Sequence, residues 1–480
     1  MPPPLQRPDA LARLSDARFD VLIVGGGIVG AGIARDAAMR GLRTALVEQS
    51  DFAAGTSSRS SRLLHGGIRY LAQGRVGLVR EASREKMTLA RIAPHLAQPL
   101  PFIFPTRRGT PWSHWKLALG VKAYDLLCGR ANFGRSRRLN VAETLSVLPG
   151  LNAERLTGAV RYYDALTDDA RLVLDTLDSA ARHGATVVNY VQFLDAARDA
   201  GSWRCTLHDN EADKPIAVAA RTIVNAAGPW SDRLPLSRTK LRVTKGVHLV
   251  VDQQTLPAPE AVVMARGDRI LFAIPWGQRV ILGTTDTDYQ GDLARPTCDA
   301  ADVAEVLAAV NDAFPRVNVT PQAVIAVWAG LRPLVADPHG NPSDLSRRHA
   351  VTRGQPGWWD VTGGKLTTYR LMAEETVDDL VRFLELPRHP CRTAEEPLVA
   401  AADVPRGVLP PAVGPEPVRR ACRREWARHL DDVMLRRTSW KHYHRDHRAI
   451  AEQAADEMAK ELHWSDEQKS AELRRYEELL

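Results

Sequence analysis

The residues whose spacing most clearly implies chemistry are Gly25, Gly27 and Gly30, in Val24-Gly25-Gly26-Gly27-Ile28-Val29-Gly30. They follow the apolar run Phe19 to Val24 and precede Ile28 to Arg40, which has the pattern of a helix. A second predicted strand, Thr44 to Val47, ends at Glu48. In such a unit Gly25 permits the turn out of the strand, Gly27 lets a pyrophosphate approach the backbone, and Gly30 lets helix pack on strand. The helix N-terminus, with its free N–H groups and dipole, favours the anion. Glu48 is placed to accept hydrogen bonds from an adenosine ribose. Strand, glycines, helix, strand and acid, in that order, predict a dinucleotide site. Just beyond lies the polar loop Thr56 to Tyr70, with Arg59, Arg62, His65, Arg69 and Tyr70 close together. Beside a nucleotide site, that density of cations and rings predicts a ligand-facing loop.

The elements that must position these residues follow from the rest of the chain. Its 480 residues can bury a large core in several domains. A charge of +7 and a pI near 9.2 suit an anionic ligand or surface. No Lys/Arg block carries interleaved aromatics, so nucleic acid is not expected. The five cysteines are scattered without a C-x-x-C, which indicates neither a metal site nor a disulfide framework and fits a reducing cytosol. The expected class is α/β: a Rossmann-like nucleotide domain, a strand-rich α+β substrate domain and a small helical C-terminal domain. The nucleotide domain is discontinuous, at 19–90, 155–235 and 346–385, and the substrate domain takes 91–154 and 236–345. Residues 1–18 read as a disordered leader, 386–418 as a Pro-rich linker, and 419–480 as the helical domain, with apolar residues at helical spacing from Cys422 to Met434 and from Ile450 to Leu462. Further glycine turns, at Gly66-Gly67, Gly228 and Gly363-Gly364, are places where backbone can approach a flat ring. The last precedes a predicted helix, so the N–H groups of Lys365, Leu366 and Thr367 could support negative charge on that ring.

Six segments in one order resemble the FAD-dependent glycerol-3-phosphate dehydrogenases, within the glycine-oxidase/D-amino-acid-oxidase-like flavoproteins. They are Gly25 to Gly30, Thr56 to Tyr70, Val224 to Trp230, Gly283-Thr284-Thr285-Asp286, Gly330-Leu331-Arg332-Pro333-Leu334 and Gly363 to Tyr369. The resemblance spans about Phe19 to Phe383 and resumes around Arg424 to His444. It implies non-covalent FAD, oxidation of sn-glycerol 3-phosphate to dihydroxyacetone phosphate, and electron delivery to a membrane quinone. The cofactor residues it implies are Gly25, Gly27, Ile28, Gly30, Glu48, Thr56, Ser57, Ser61, Arg62, Leu64, His65, Gly66, Gly228, Gly364, Lys365, Leu366 and Thr367.

A phosphate dianion asks for guanidinium forks and an ammonium. Arg332 stands in an otherwise apolar segment, and Arg347 lies in Leu345-Ser346-Arg347-Arg348. The resemblance adds Arg69, Tyr70, His248 and Lys365 to the substrate pocket, with His248, Arg332 and Lys365 in catalytic roles. Removing the hydroxyl proton calls for a base near neutral pKa, for which His248, in a predicted strand, and His65 are the candidates. The C-terminal arginines 419, 420, 423, 424, 436 and 437 could face anionic lipid, giving a cytoplasmic protein held peripherally on the inner face of the membrane. The resemblance is also compatible with a homodimer. Three alternatives stay open: a glycerol-3-phosphate oxidase using oxygen, an amino-acid or sarcosine-type oxidase, and a flavin-binding redox scaffold without turnover.

Overall fold

The computed structural model describes residues 5–67, 75–128, 132–199, 201–266, 269–335, 349–387, 389–400 and 407–479. In chain order its strands are β1 Arg18–Val24, β2 Thr44–Val47, β3 Leu63–Leu64, β4 Gln98–Arg107, β5 Arg137–Leu139, β6 Leu156–Leu166, β7 Thr186–Val188, β8 Val191–Asp199, β9 Ser202–Asp209 and β10 Lys214–Asn225. Then come β11 Leu241–Asp252, β12 Ala261–Arg266, β13 Arg269–Trp276, β14 Arg279–Gly283, β15 Thr287–Asp288, β16 Ala326–Val335, β17 Ala350–Arg353 and β18 Trp358–Thr362. The helices used below are α1 Arg7–Asp16, α2 Ile28–Met39, α3 Val76–Ile92, α4 His114–Cys128, α5 Val141–Val147, α6 Asp169–Arg182, α7 Ala300–Ala313, α8 Tyr369–Phe383 and α9 Pro415–Arg424.

The first sheet runs β17-β18-β10-β1-β2-β7, with β9 and then β8 continuing from β10. Its centre is parallel, β1 lying between β10 and β2. That is why β1 is apolar on both faces: Val21 and Ile23 enter one core, Leu22 and Val24 the other. Helix α2 is almost wholly buried and packs against α6 and α8. The second sheet runs β15-β11-β14-β13-β12-β4-β6-β3, with β16 added to β11 and β5 to β6. Its faces are covered by α7 on one side and by α3 and α4 on the other.

Four expectations are corrected. Within the expected leader, residues 5–18 are not loose: α1 buries Ala10 and Leu14 against Phe19 and Trp203, and the Arg7 guanidinium donates to the Asn189 carbonyl. Strand β6, assigned to the nucleotide domain, pairs with β4 from Gln98↔Leu166 to Arg107↔Leu156 and so belongs to the second sheet, as does β3. The Pro-rich segment is pinned rather than a spacer. Leu398 and Val399 join the first core, Arg35 donates to the Thr393 carbonyl, Trp276 donates to the Val408 carbonyl, and α9 begins at Pro415 inside the expected linker.

Two of the C-terminal arginines expected to face lipid do not reach the surface. Arg436 and Arg437 are buried and both pair with Asp51. Arg419 pairs with Glu457, Arg420 with Glu425 and Arg423 with Glu461, while Arg423 and Arg424 are exposed. The helical domain has its own core around Val418, Leu430, Met434, Trp440 and Met458. It is fastened to the nucleotide domain by polar contacts: Arg171 with Glu425, Tyr190 with Asp432, and Asp51 with the two arginines.

Candidate active site

A cleft opens at the carboxyl ends of β1, β2, β10 and β18, where ligands bind in open parallel sheets. Gly25 has φ +114°, and a Cβ there would lie 2.5 Å from the Ala226 carbonyl oxygen; a Cβ on Gly30 would lie 1.9 Å from the Gly25 carbonyl oxygen. Those two glycines are therefore required by packing, with Gly30 behind the cleft. Gly27 differs. Its φ of −81° is ordinary, and a Cβ there would meet only the Ser57 Oγ, at 3.2 Å. The remaining space at Gly27 is the cleft, which is the cradle a pyrophosphate needs.

Ser57 Oγ accepts the Ile28 N–H at 3.0 Å, and Glu48 accepts the N–H groups of Gly26 at 2.7 Å and Ser50 at 2.9 Å. Burial raises the Glu48 pKa, opposed by these hydrogen bonds. Thr56, Gly228, Gly364, Lys365 and Leu366 complete the predicted lining. The helix expected directly after Gly364 is preceded by a short 3₁₀ turn, Leu366–Thr368, before α8.

A second cavity adjoins the first and shares Thr56, Arg59, Pro333, Gly364, Lys365 and Leu366 with it. Strand alternation builds its floor. Along β11, Val247, Leu249 and Val251 enter the core beneath α7, which turns Gly246 and His248 to the opposite face. Along β16, Trp328, Gly330 and Arg332 pair with His248, Gly246 and Thr244. The two facing glycines leave room for larger groups. A Cβ on Gly246 would lie 2.4 Å from the Arg332 guanidinium, and one on Gly330 would lie 2.3 Å from the Arg59 carbonyl oxygen. The Arg332 fork donates to the Thr285 carbonyl, the Asp286 carboxylate and the Thr284 hydroxyl at 3.0–3.2 Å.

His248 is buried and stacked on Trp328, with ring centroids 5.2 Å apart. Its Nε2 lies 2.7 Å from Ser61 Oγ, and its Nδ1 is buried without a hydrogen-bond partner among the described residues. Burial, with the charges of Arg332 and Arg62, pushes its pKa down to about 3. The expected base near neutral pKa is thus not what this environment makes of His248: it is neutral throughout the physiological range. His65 also lines the cavity, its backbone N–H and carbonyl both bonded to Thr367 Oγ1.

The two cavities bring together His65, Ser61, His248, Arg332, Lys365 and Leu366 of the predicted residues. Ser61, expected on the cofactor, lines the second cavity and is bonded to His248. Leu64, Gly66 and Thr367 stand behind the walls, Gly66 being bonded through its N–H to the Tyr124 hydroxyl. Arg62 does not reach either cavity. It is buried beside Asp168 and Asp169, lies over the Trp276 ring at 4.5 Å, and donates to Ser439. Arg69, Tyr70 and Arg347 lie outside the described residues. The residue underrated in sequence is Arg59, which lines both cavities and whose pKa burial and Arg436 pull down to about 10.

A Rossmann-type cleft opening onto a cationic chamber defines a dinucleotide-dependent oxidoreductase. A family model described as FAD dependent oxidoreductase matches residues 20–378, and one described as the C-terminal domain of alpha-glycerophosphate oxidase matches residues 410–469. Glycerol-3-phosphate dehydrogenase 2 of Mycobacterium tuberculosis is 41% identical over 83% of this chain and 69% of its own. The aerobic glycerol-3-phosphate dehydrogenase of Staphylococcus epidermidis is 38% identical over 79% of this chain and 70% of its own. The solved glycerol-3-phosphate dehydrogenase of Bacillus halodurans complexed with FAD superposes with a TM-score of 0.81 at 29% identity, covering 98% of this chain and 96% of that one. The chain belongs to the FAD-dependent glycerol-3-phosphate dehydrogenases, within the wider family of FAD dependent oxidoreductases.

Proposed function

We propose that this protein oxidises sn-glycerol 3-phosphate to dihydroxyacetone phosphate on FAD and passes the electrons to a membrane quinone, working at the inner face of the cytoplasmic membrane. The observation that carries the substrate reading is the chamber next to the cleft, where Arg59, Arg332 and Lys365 line a space that also holds His248. Gly25, Gly27, Ile28, Glu48 and Ser57 would hold the adenine dinucleotide end, and Gly363, Gly364, Lys365 and Leu366 the ring end. Bound there, FAD supplies an acceptor for hydride from the substrate C2.

The chain's residues do the rest. Arg332, held by Asp286, Thr284 and the Thr285 carbonyl, would exchange part of those contacts for the phosphate, and Arg59 adds a second guanidinium. Lys365 lies where both cavities meet, so its charge favours an alkoxide forming at C2 and lowers the demand on any base. His248, held by Ser61 and Trp328, presents a neutral imidazole edge. Its low proton affinity supports a hydrogen-bonding and orienting role in the free enzyme, with His65 left as a candidate to accept the hydroxyl proton. The names of the relatives support the substrate; the acceptor is our inference. A carboxylate clamp for an amino acid would need only one arginine, so the chamber favours a phosphorylated substrate over the amino-acid-oxidase alternative.

The test is a visible spectrum of the purified protein followed anaerobically. Glycerol 3-phosphate should bleach the flavin bands, a soluble quinone analogue should restore them rapidly, and air should do so slowly. Rapid, stoichiometric peroxide in air would make the protein an oxidase. Unbleached flavin would overturn the substrate.

A further inference from the structure

We propose that His442, on the helical C-terminal domain, is a positioning residue for the reaction and acts through Trp328 on His248. The proposal rests on the orienting role read above for His248, which requires that its ring be held in one plane. Its Nε2 is bonded to Ser61 Oγ at 2.7 Å, while its Nδ1 is buried with no hydrogen-bond partner among the described residues. One hydrogen bond anchors an edge of the ring but not its plane. The plane is set by stacking. Trp328, directly across from His248 on β16, lies at 5.2 Å between centroids and 19° between ring planes.

Trp328 is in turn held from two directions. Its indole N–H donates to the Ser60 carbonyl at 3.2 Å, and Ser60 is fixed by Asp169, which accepts its N–H at 3.0 Å and its hydroxyl at 2.7 Å. The second hold comes from the helical domain. The His442 ring packs on the same indole at 5.1 Å between centroids, tilted by 52°. His442 is buried, and burial, followed by the charges of Lys441, Arg62 and Arg59, holds its pKa well below the usual histidine range. It therefore packs as a neutral ring. Its Nδ1 likewise has no hydrogen-bond partner among the described residues, so it is the ring's volume that Trp328 meets.

Three consecutive loop residues join these layers. The Ser60 carbonyl is bonded to Trp328 and Ser61 to His248, while Arg62 donates to Ser439 Oγ at 2.9 Å and lies over the Trp276 and Trp328 rings. Ser439 starts the short helix Trp440–Tyr443 that carries His442, whose N–H donates to the Ser439 carbonyl at 3.1 Å. The loop that supplies Ser61 to the chamber is thus fastened to the segment that supplies His442 to the stack. His442 lines neither cavity, so its contribution to turnover passes through Trp328 to His248.

With a soluble acceptor, the FAD-loaded full chain carrying His442→Ala should keep its flavin and its KM for glycerol 3-phosphate. Its kcat should fall about tenfold, within the roughly 100-fold that a 1 Å misplacement can cost. His442→Phe, which refills the space with a neutral ring, should recover most of that loss. In a His248→Gln background the Ala substitution should cost little further, since non-additive losses mark residues coupled through shared contacts. A merely structural residue would give the same loss in both backgrounds. Trp328→Phe keeps a ring but removes the N–H to Ser60, and should show the same kcat loss and the same non-additivity, so an unstable Ala variant does not shelter the proposal. A further readout needs no turnover. In enzyme with nitrogen-15 histidine and no substrate, the His248 ring signals, identified by their absence from His248→Gln, should move in His442→Ala and much less in His442→Phe. Wild-type kcat in flavin-loaded His442→Ala, equal losses in the two backgrounds, a loss carried by KM instead of kcat, or unmoved His248 signals would each overturn the proposal. Wild type that leaves its flavin unbleached would sink the functional reading instead, while the His248 signals still report on the stack.

Discussion

Replacing His248 by glutamine separates the two roles this histidine could have. The glutamine amide reaches the position of Nε2 and can keep the hydrogen bond to Ser61, which the imidazole makes at 2.7 Å, but it does not titrate. In the native state the histidine is neutral down to about pH 3, because burial, Arg332 and Arg62 all oppose its cation. The unfolded chain protonates it near pH 6.5. Below that value the unfolded state binds the extra proton, so stability due to a neutral His248 is full above pH 6.5 and is lost as pH falls toward 3. At about 1.4 kcal/mol per pH unit, roughly 2 kcal/mol is lost by pH 5.

Urea unfolding of wild type and His248→Gln at pH 7 and pH 5 measures this directly. Wild type should lose about 2 kcal/mol more than the variant over that interval. The second buried, acid-shifted histidine, His442, is present in both proteins and cancels. In kcat/KM no limb near pH 6.5 should belong to His248. Parallel stability losses in the two proteins would refute the buried-neutral assignment. So would a limb near pH 6.5 that His248→Gln abolishes, and it would restore His248 as the titrating base.

Gly27→Val should fold but purify colourless, because the backbone there tolerates a side chain while the cleft does not; apo melting near wild type with full flavin retention would contradict this. Arg332→Lys should cut kcat/KM for glycerol 3-phosphate about 10- to 100-fold, as expected for loss of a charge-assisted fork, with a much smaller loss for unphosphorylated glycerol. Equal losses would make Arg332 structural. The KM for glycerol 3-phosphate should fall as pH rises through about 6, where the phosphate becomes a dianion, and a flat profile would count against a chamber built for two charges. Asp51→Asn should destabilise the protein by about 3 kcal/mol or more in urea and expose the C-terminal domain to protease, since it leaves Arg436 and Arg437 without their shared carboxylate.

What could be read in the sequence divides along a physical line. The β1–α2–β2 unit, Glu48 and the glycine turns were legible because local backbone geometry dictates residue type at fixed offsets. His248 was legible as a strand residue and Arg332 as a lone cation in an apolar segment; the pairing of β11 with β16 then sets them on one face with Gly246 and Gly330. Arg59 and Arg62 were not separable. They stand three apart in one polar loop, and what distinguishes them is distant in sequence: Asp168, Asp169, Trp276 and Ser439 enclose Arg62, whose φ of 55° reverses the chain there. The lipid-facing expectation for Arg436 and Arg437 failed for the same reason, their partner Asp51 being almost the whole chain away. The leader misled because its prolines mask a short helix whose stability comes from Ala10 and Leu14 packing on the sheet, not from propensity. Strand β6 was misassigned because β4, which fixes its sheet, is separated from it by α4, β5 and α5.

The position of Asp51 gives the helical domain a stake in the chemistry. Glu48 and Asp51 sit on one short turn after β2, with their carboxylates directed to opposite sides. Glu48 caps Gly26 and Ser50 at the nucleotide cleft, while Asp51 is buried against the C-terminal arginines and Asn189. Those arginines give the buried Asp51 carboxylate its ion-pair partners, and Asp51, Asp431 and Asp432 in turn compensate Arg436. Without that compensation, Arg436 would press harder on Arg59, whose proton affinity it already lowers at the mouth of the chamber. The turn that shapes the cofactor cleft is therefore clamped from behind by a domain that touches neither cavity. Loosening the clamp should reach the cofactor before it reaches the fold, so flavin release from Asp51→Asn is expected at urea concentrations that leave the first sheet intact.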